Sequence, residues 1–168
     1  SGTTAALNGV TFANGVFMAV GEQGTILSST DTRTWADHSQ AGLGDLCGIA
    51  FGEGMHIAVG ERGIILTSPD LQDWRLARSG TTNTLRSVTF GDGGFVAVGD
   101  SGAVVSSRNG TEWTHQNADS TQDLRGVCFG SAGFVAVGAG GTLLNSRDGG
   151  DWAQRPSGTT NLLKIETV

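Results

Sequence analysis

Ser79–Trp113, SGTTNTLRSVTFGDGGFVAVGDSGAVVSSRNGTEW, is one unit of a repeat, and the rest of the chain is copies of it. Trp35, Trp74, Trp113 and Trp152 are the only tryptophans, and each stands 39 residues from the next. Phe12, Phe51, Phe90 and Phe129 keep that interval, as do Gly21, Gly60, Gly99 and Gly138. Leu7, Leu46, Leu85, Leu124 and Leu163 carry it through a fifth occurrence. A fixed period near forty residues is the signature of a repeat architecture whose units bury their cores against one another.

Inside the unit the apolar pattern has the period of a strand. Leu85–Phe90 is a run with β-branched and aromatic residues, Gly91–Gly94 a turn, and Phe95–Val98 a second run. Gly99–Gly102 turns again into Ala103–Ser107, and Arg108-Asn109-Gly110 reads as a hairpin turn, Asn-Gly being a strong short signal for one. A fourth strand is expected to open near Glu112-Trp113. No stretch suits a helix. The second and third runs are apolar without interruption, so both of their faces are expected to be covered. The fold class is therefore all-β: a β-propeller-type array of four-stranded antiparallel blades. Residues 1–39, 40–78, 79–117 and 118–156 form the four blades.

Twelve residues remain, Ser157–Val168, and they match Ser1–Phe12 in phase. They are expected to form one strand more than four blades use. Three arrangements accommodate it: a piece of a larger propeller, a four-bladed ring with a spare strand outside, or a strand that pairs with another chain. Open strand edges are templates for association, so self-association into a closed oligomer or a filament is one expectation.

Glycine makes up 28 of 168 residues, about twice the average share, and recurs at fixed phases, as turns with positive φ require. The net charge is −6, the sequence pI about 4.8, and Lys164 is the only lysine. Such a chain lacks the positive field that binds a phosphate backbone, which argues against nucleic acid. No apolar run is long enough to insert in a membrane as a helix. Cys47 and Cys128 lie at different phases and read as two small, buried or half-buried thiols. No Cys/His cluster has metal-ligand spacing, and no cofactor is expected. Beginning at Ser1 without a signal-like segment, the sequence reads as a processed protein or an excised piece.

Four segments precede the tryptophans: Ser29-Thr30-Asp31, Ser68-Pro69-Asp70, Ser107-Arg108-Asn109 and Ser146-Arg147-Asp148. Each places Ser, a spacer and Asp or Asn four residues ahead of Trp35, Trp74, Trp113 or Trp152. Short polar side chains at this spacing bond nearby amides and fix a turn. The pattern resembles a shortened Asp-box of bacterial neuraminidase-type repeats. The complete unit, with SGTT, LxxVxF, FVAVG and SxDGxxW, more closely resembles bacterial propellers of the Ycf48 type, photosystem II assembly factors. The resemblance covers the whole chain. It implies that these twelve residues are structural turns and not ligand or calcium contacts, though it does not fix the turn type in the first three units. With the composition, it favours a secreted, periplasmic or extracellular location.

Catalysis is not expected. The neuraminidase nucleophile is a tyrosine, and the chain has none. Acidic residues such as Glu22, Glu61 and Asp100 sit at one repeated turn position and read as solvated. One ring of positions does vary: Asn8, Cys47, Arg86, Arg125 and Lys164, each after the repeated leucine. If the first strand is innermost, Arg86, Arg125 and Lys164 are channel-mouth residues that could contact an anion or an acidic peptide. A non-catalytic scaffold with a protein partner is the leading functional expectation. A glycan-binding or glycosidase-related propeller is the alternative.

Overall fold

Each repeat folds as a four-stranded meander in the computed structural model, which describes residues 2–165. The first sheet, blade 1, contains β1 (Leu7–Ala13), β2 (Val16–Gly21), β3 (Ile26–Ser29) and β4 (Ala36–Asp37). Blade 2 contains β5 (Leu46–Gly52), β6 (Met55–Gly60), β7 (Ile65–Ser68) and β8 (Arg75–Ala77). Blade 3 contains β9 (Leu85–Gly91), β10 (Gly94–Gly99), β11 (Val104–Ser107) and β12 (Thr114–His115). Blade 4 contains β13 (Leu124–Gly130), β14 (Gly133–Gly138), β15 (Leu143–Ser146) and β16 (Ala153–Gln154). Strands follow chain order within every sheet, all antiparallel.

The outer strand is shorter and starts later than expected. In blade 3 it covers Thr114–His115, after Trp113, and six residues link it to β11. Gly110 alone has positive φ in that link, so the connection is a wider loop and not a two-residue Asn-Gly hairpin.

The uninterrupted apolar runs are explained by stacking. Met18, Val20 and Ile26 of blade 1 share a buried cluster with Leu46, Ile49 and Ala58 of blade 2. The same phases meet between blades 2 and 3 and between blades 3 and 4, so there are three interblade cores. The innermost strands β1, β5, β9 and β13 pack successively on one another.

The arc does not close. Leu46, Leu85 and Leu124 are buried, whereas Leu7 at the same phase of blade 1 is exposed, with Val10 and Phe12 beside it. The described residues after blade 4, 157–165, stay against blade 4 and not blade 1. Through Ile165 they form no strand, and residues 166–168 of the expected extra strand lie outside the described residues. Two backbone bonds hold the segment to blade 4, Gly141 N–H to Asn161 O at 2.8 Å and Leu163 N–H to Gly138 O at 3.0 Å.

Glycine at the end of each second strand has a different reason from the one expected. Gly21, Gly60, Gly99 and Gly138 are extended, with φ between −166° and −170°. A Cβ there would stand within about 2 Å of a carbonyl oxygen, Thr84 O in the case of Gly99. Close approach, not positive φ, demands glycine at this phase.

Candidate functional site

The groove along the four innermost strands is the candidate site, a cavity of about 430 Å³ lined from β1, β5, β9 and β13. Its lip is built by a repeated irregularity. Leu85 pairs with Gly99 and Ser87 with Val98, so Arg86 is an extra residue, a β-bulge. The same register shift isolates Asn8, Cys47 and Arg125. A bulge bends the strand and re-aims its side chain, so one local rule turns the variable position of every repeat to the same place. All four residues line the groove. Lys164, the fifth of the series, is exposed and is not among the lining residues.

The two arginines are not a free basic spot. Arg86 donates from Nε to Asp100 Oδ1 at 2.8 Å and from Nη2 to Oδ2 at 2.7 Å, a bidentate pair. Arg125 donates from Nη2 to Asp123 Oδ2 at 2.8 Å and reaches Asp100 Oδ1 more loosely at 3.4 Å. Two cations and two carboxylates thus cancel across the junction of blades 3 and 4. The hydrogen bonds from Arg86 hold the Asp100 carboxyl below its usual range, and Asp100 raises the Arg86 guanidinium in return. Asp100 is therefore no solvated turn residue, and a carboxylate so held is a poor general acid. The equivalent Glu61 accepts the Asp45 N–H at 3.3 Å. Burial pushes up the Cys47 thiol, which favours the protonated and unreactive form.

The repeat pattern places Asp100 among solvated turn positions and gives no role to Asp123. Asp123 stands two positions before Arg125 but ahead of β13, and Arg125 is the bulged residue, so strand alternation gives no signal of the pair.

The segments before the tryptophans adopt one turn in all four blades. Ser29, Ser68, Ser107 and Ser146 each donate to the residue two ahead, Asp31, Asp70, Asn109 or Asp148. That residue's Oδ1 accepts two following backbone N–H groups, from Arg33 and Thr34 in the first unit and from Thr111 and Glu112 in the third. The turn needs positive φ at its next residue, met by Gly110 and Gly149 but also by Thr32 and Leu71. Each tryptophan donates from Nε1 back to the carbonyl of that residue: Trp35 to Thr32, Trp74 to Leu71, Trp113 to Gly110 and Trp152 to Gly149. Backbone donors, Thr34 first, hold the Asp31 carboxyl far below its usual range, and Asp70 and Asp148 are lowered in the same way. All four turns lie at the outer ends of the blades and none of their residues lines the groove. Among the described residues, no group of three His, Cys, Asp or Glu side chains could hold a metal ion, and no helix is long and apolar enough to cross a membrane.

No protein-family model matches the chain, and no curated protein matches it. Solved structures do. A Ycf48 bound to a D1 peptide aligns over 91% of this chain and 55% of its own, at a TM-score of 0.70 and 21% identity. Ycf48 from Cyanidioschyzon merolae aligns over 92% and 57%, at 0.69 and 19%. The WD40 β-propeller domain of Doa1 aligns over 89% and 54%, at 0.68 and 16%. The chain thus spans little more than half the length of these structures. With its four meanders stacked about a common groove, the chain has the β-propeller fold in the form of an open, Ycf48-like arc of four blades.

Proposed function

We propose that this chain is a non-catalytic protein-interaction module that receives a segment of a partner protein along the groove of its innermost strands. One observation carries the reading: four bulges aim Asn8, Cys47, Arg86 and Arg125 at one lip of a continuous groove. The partner chemistry follows from the ion pairs. Each guanidinium has five N–H donors, and Arg86 spends two on Asp100, so both arginines keep donors for an acidic or carbonyl-rich peptide. The Ycf48 bound to a D1 peptide supports a peptide partner by analogy of fold, and fold alone does not set function. Self-association through the open ends of the arc belongs to the same reading.

Selection of peptides from a random displayed library on the immobilised chain tests it. Selected peptides are expected to carry acidic residues and to bind the Arg86→Ala/Arg125→Ala variant at least about tenfold more weakly, a loss of about 1.4 kcal/mol. Peptides that bind the double variant equally would remove the groove from the reading. A glycan array and fluorogenic glycosides serve as the opposing arm: turnover lost on replacing Asp100 or Asp123, the carboxylates bound to the arginines of the groove lip, would favour the glycosidase-related alternative.

A further inference from the structure

Blade 2 ends on an outer strand unlike those of the other blades. β8 is the edge of its sheet and pairs three residues with β7, where β4, β12 and β16 each pair two with their neighbours. Leu76, at its centre, is 65% exposed, and the same phase holds Asp37, His115 and Gln154 in the other blades. Open edges are usually blunted by polar or charged side chains, so a leucine at this position leaves the edge unguarded. Its main chain is open as well. His38, Gln116 and Arg155, at the phase of Ala77, each donate their N–H inward to the third strand, as Gln116 does to Val104 O at 2.8 Å. Antiparallel ladders alternate, so the N–H and C=O of Leu76, one position earlier, are turned away from β7.

The surroundings of Leu76 are basic in a chain of net charge −6. Leu76, Arg62 and Arg78 line one open recess of about 680 Å³, with Ile64 and the loop 79–83, and no carboxylate lines it. Arg75 stands beside Leu76 in the strand. All three arginines are exposed, and none is in an ion pair among the described residues. No other blade carries a basic residue at any of these three phases; in blade 1 they hold Gln23, Ala36 and Ser39.

We propose that this edge is a docking site for an extended acidic segment of another protein, which adds a strand to blade 2. The main chain of the segment bonds to Leu76, one of its apolar side chains packs on the leucine, and its carboxylates meet the arginines around it. A second copy of β8 does not suit the edge, because it brings another three arginines to the first three. A phosphate surface would satisfy the charges but leave the main-chain groups and the apolar side chain of Leu76 unused. The site lies at the opposite edge of the sheet from β5 and the groove, and it does not rest on the groove reading.

Fluorescence anisotropy with a labelled, end-blocked octapeptide of alternating valine and glutamate tests it. The full chain is expected to bind this peptide, and to bind the valine–lysine counterpart at least about tenfold more weakly. Leu76→Gln and Arg62→Gln/Arg78→Ser install residues that other blades carry at those phases. Each is expected to weaken binding about tenfold or more, with an unchanged far-ultraviolet circular dichroism spectrum. Of two peptides N-methylated at every second amide, in the two alternate phases, one is expected to lose affinity to the same degree. No binding by the full chain overturns the proposal, and so does binding that either variant, or both methylated peptides, leave unchanged. Binding of phosphatidylserine–phosphatidylcholine vesicles in place of the peptide, lost in the double variant and kept in Leu76→Gln, overturns it in favour of a phosphate surface. The titrations are repeated on the Arg86→Ala/Arg125→Ala chain. Affinity lost there belongs to the groove and overturns the edge, so the two readings fail separately.

Discussion

Arg86 grips Asp100 with two parallel hydrogen bonds, at 2.8 and 2.7 Å, and so clamps the bulge of β9 to the turn that follows β10. Arg125 touches the same carboxylate from blade 4, so one aspartate joins the geometry of two blades. The clamp explains why a bulged residue at a groove lip holds one direction instead of sweeping through solvent.

The first prediction concerns that clamp. Both side chains are about a quarter to a third exposed, so Arg86→Ala is expected to cost only about 0.5–1 kcal/mol at neutral pH. The folded pKa of Asp100 is depressed, so its contribution is present above the unfolded value near 3.9. It is lost as pH falls through the folded value. Urea unfolding of wild type and variant is therefore expected to differ at pH 7 and to converge in strong acid. A gap that persists in acid would assign the loss to packing of the arginine stem.

The blades and their stacking were legible because each repeat states its own strand pattern. Leu85–Phe90 and Phe95–Val98 show it without help from the rest of the chain. The Arg86–Asp100 pair was not legible. The two residues are fourteen positions apart, Arg86 on β9 and Asp100 in the turn after β10, and the bulge at Arg86, a register irregularity, gives the sequence pattern no sign of the pair. Nor was the openness of the arc, because closure depends on small rotations between blades that no single repeat encodes. The tail's placement on blade 4 was hidden for a related reason. Ser157–Val168 matches Ser1–Phe12 in phase, and phase names the type of slot without saying which blade owns it.

The turn before the first tryptophan carries a second prediction. Thr32 holds φ near 64°, where Gly110 and Gly149 stand in blades 3 and 4. A β-branched residue is strained there by about 1–2 kcal/mol. Thr32→Gly removes the strain and gives back part of it as unfolded-state entropy, for a net gain of roughly 0.5–1 kcal/mol. The urea midpoint is expected to rise with no change in the slope. A fall would mean that the Thr32 hydroxyl, which donates to Asp31 O, outweighs the strain.

Gly99→Ala reads a different requirement. Gly99 is extended at φ −168°, so no conformational strain is at issue. The new methyl would stand 1.9 Å from Thr84 O and 2.9 Å from Leu85 Cα, both backbone atoms that enter β9. Overpacking of this kind is expected to cost about 2–3 kcal/mol. Thermal unfolding by circular dichroism checks it, with Gly93→Ala as the contrast. Gly93 has open space around its Cβ position and is limited only by its φ of 68°, so its loss is expected to be smaller.

His56 gives the last prediction, and it is one of pH. It takes the phase of Phe17, Phe95 and Phe134, is buried, and packs on Phe51 with ring centroids 4.6 Å apart. Its Nδ1 has no hydrogen-bond partner among the described residues. Burial pushes its pKa down, against a weaker upward pull from Asp70. The unfolded chain therefore binds the proton more readily than the folded one. Stability is complete above the unfolded value near 6.5 and declines as pH falls below it towards the folded value. His56→Phe restores the residue of the other three blades and removes both the orphaned nitrogen and the titration. It is expected to stabilise the chain by about 1 kcal/mol at pH 7, the usual range for relieving a buried unpaired polar group. The larger gain belongs at pH 5, where the unfolded wild type takes up a proton that burial of the ring makes the folded chain resist. Denaturant midpoints at both pH values check this, and a variant whose advantage is the same at pH 5 and pH 7 would locate the acid sensitivity elsewhere.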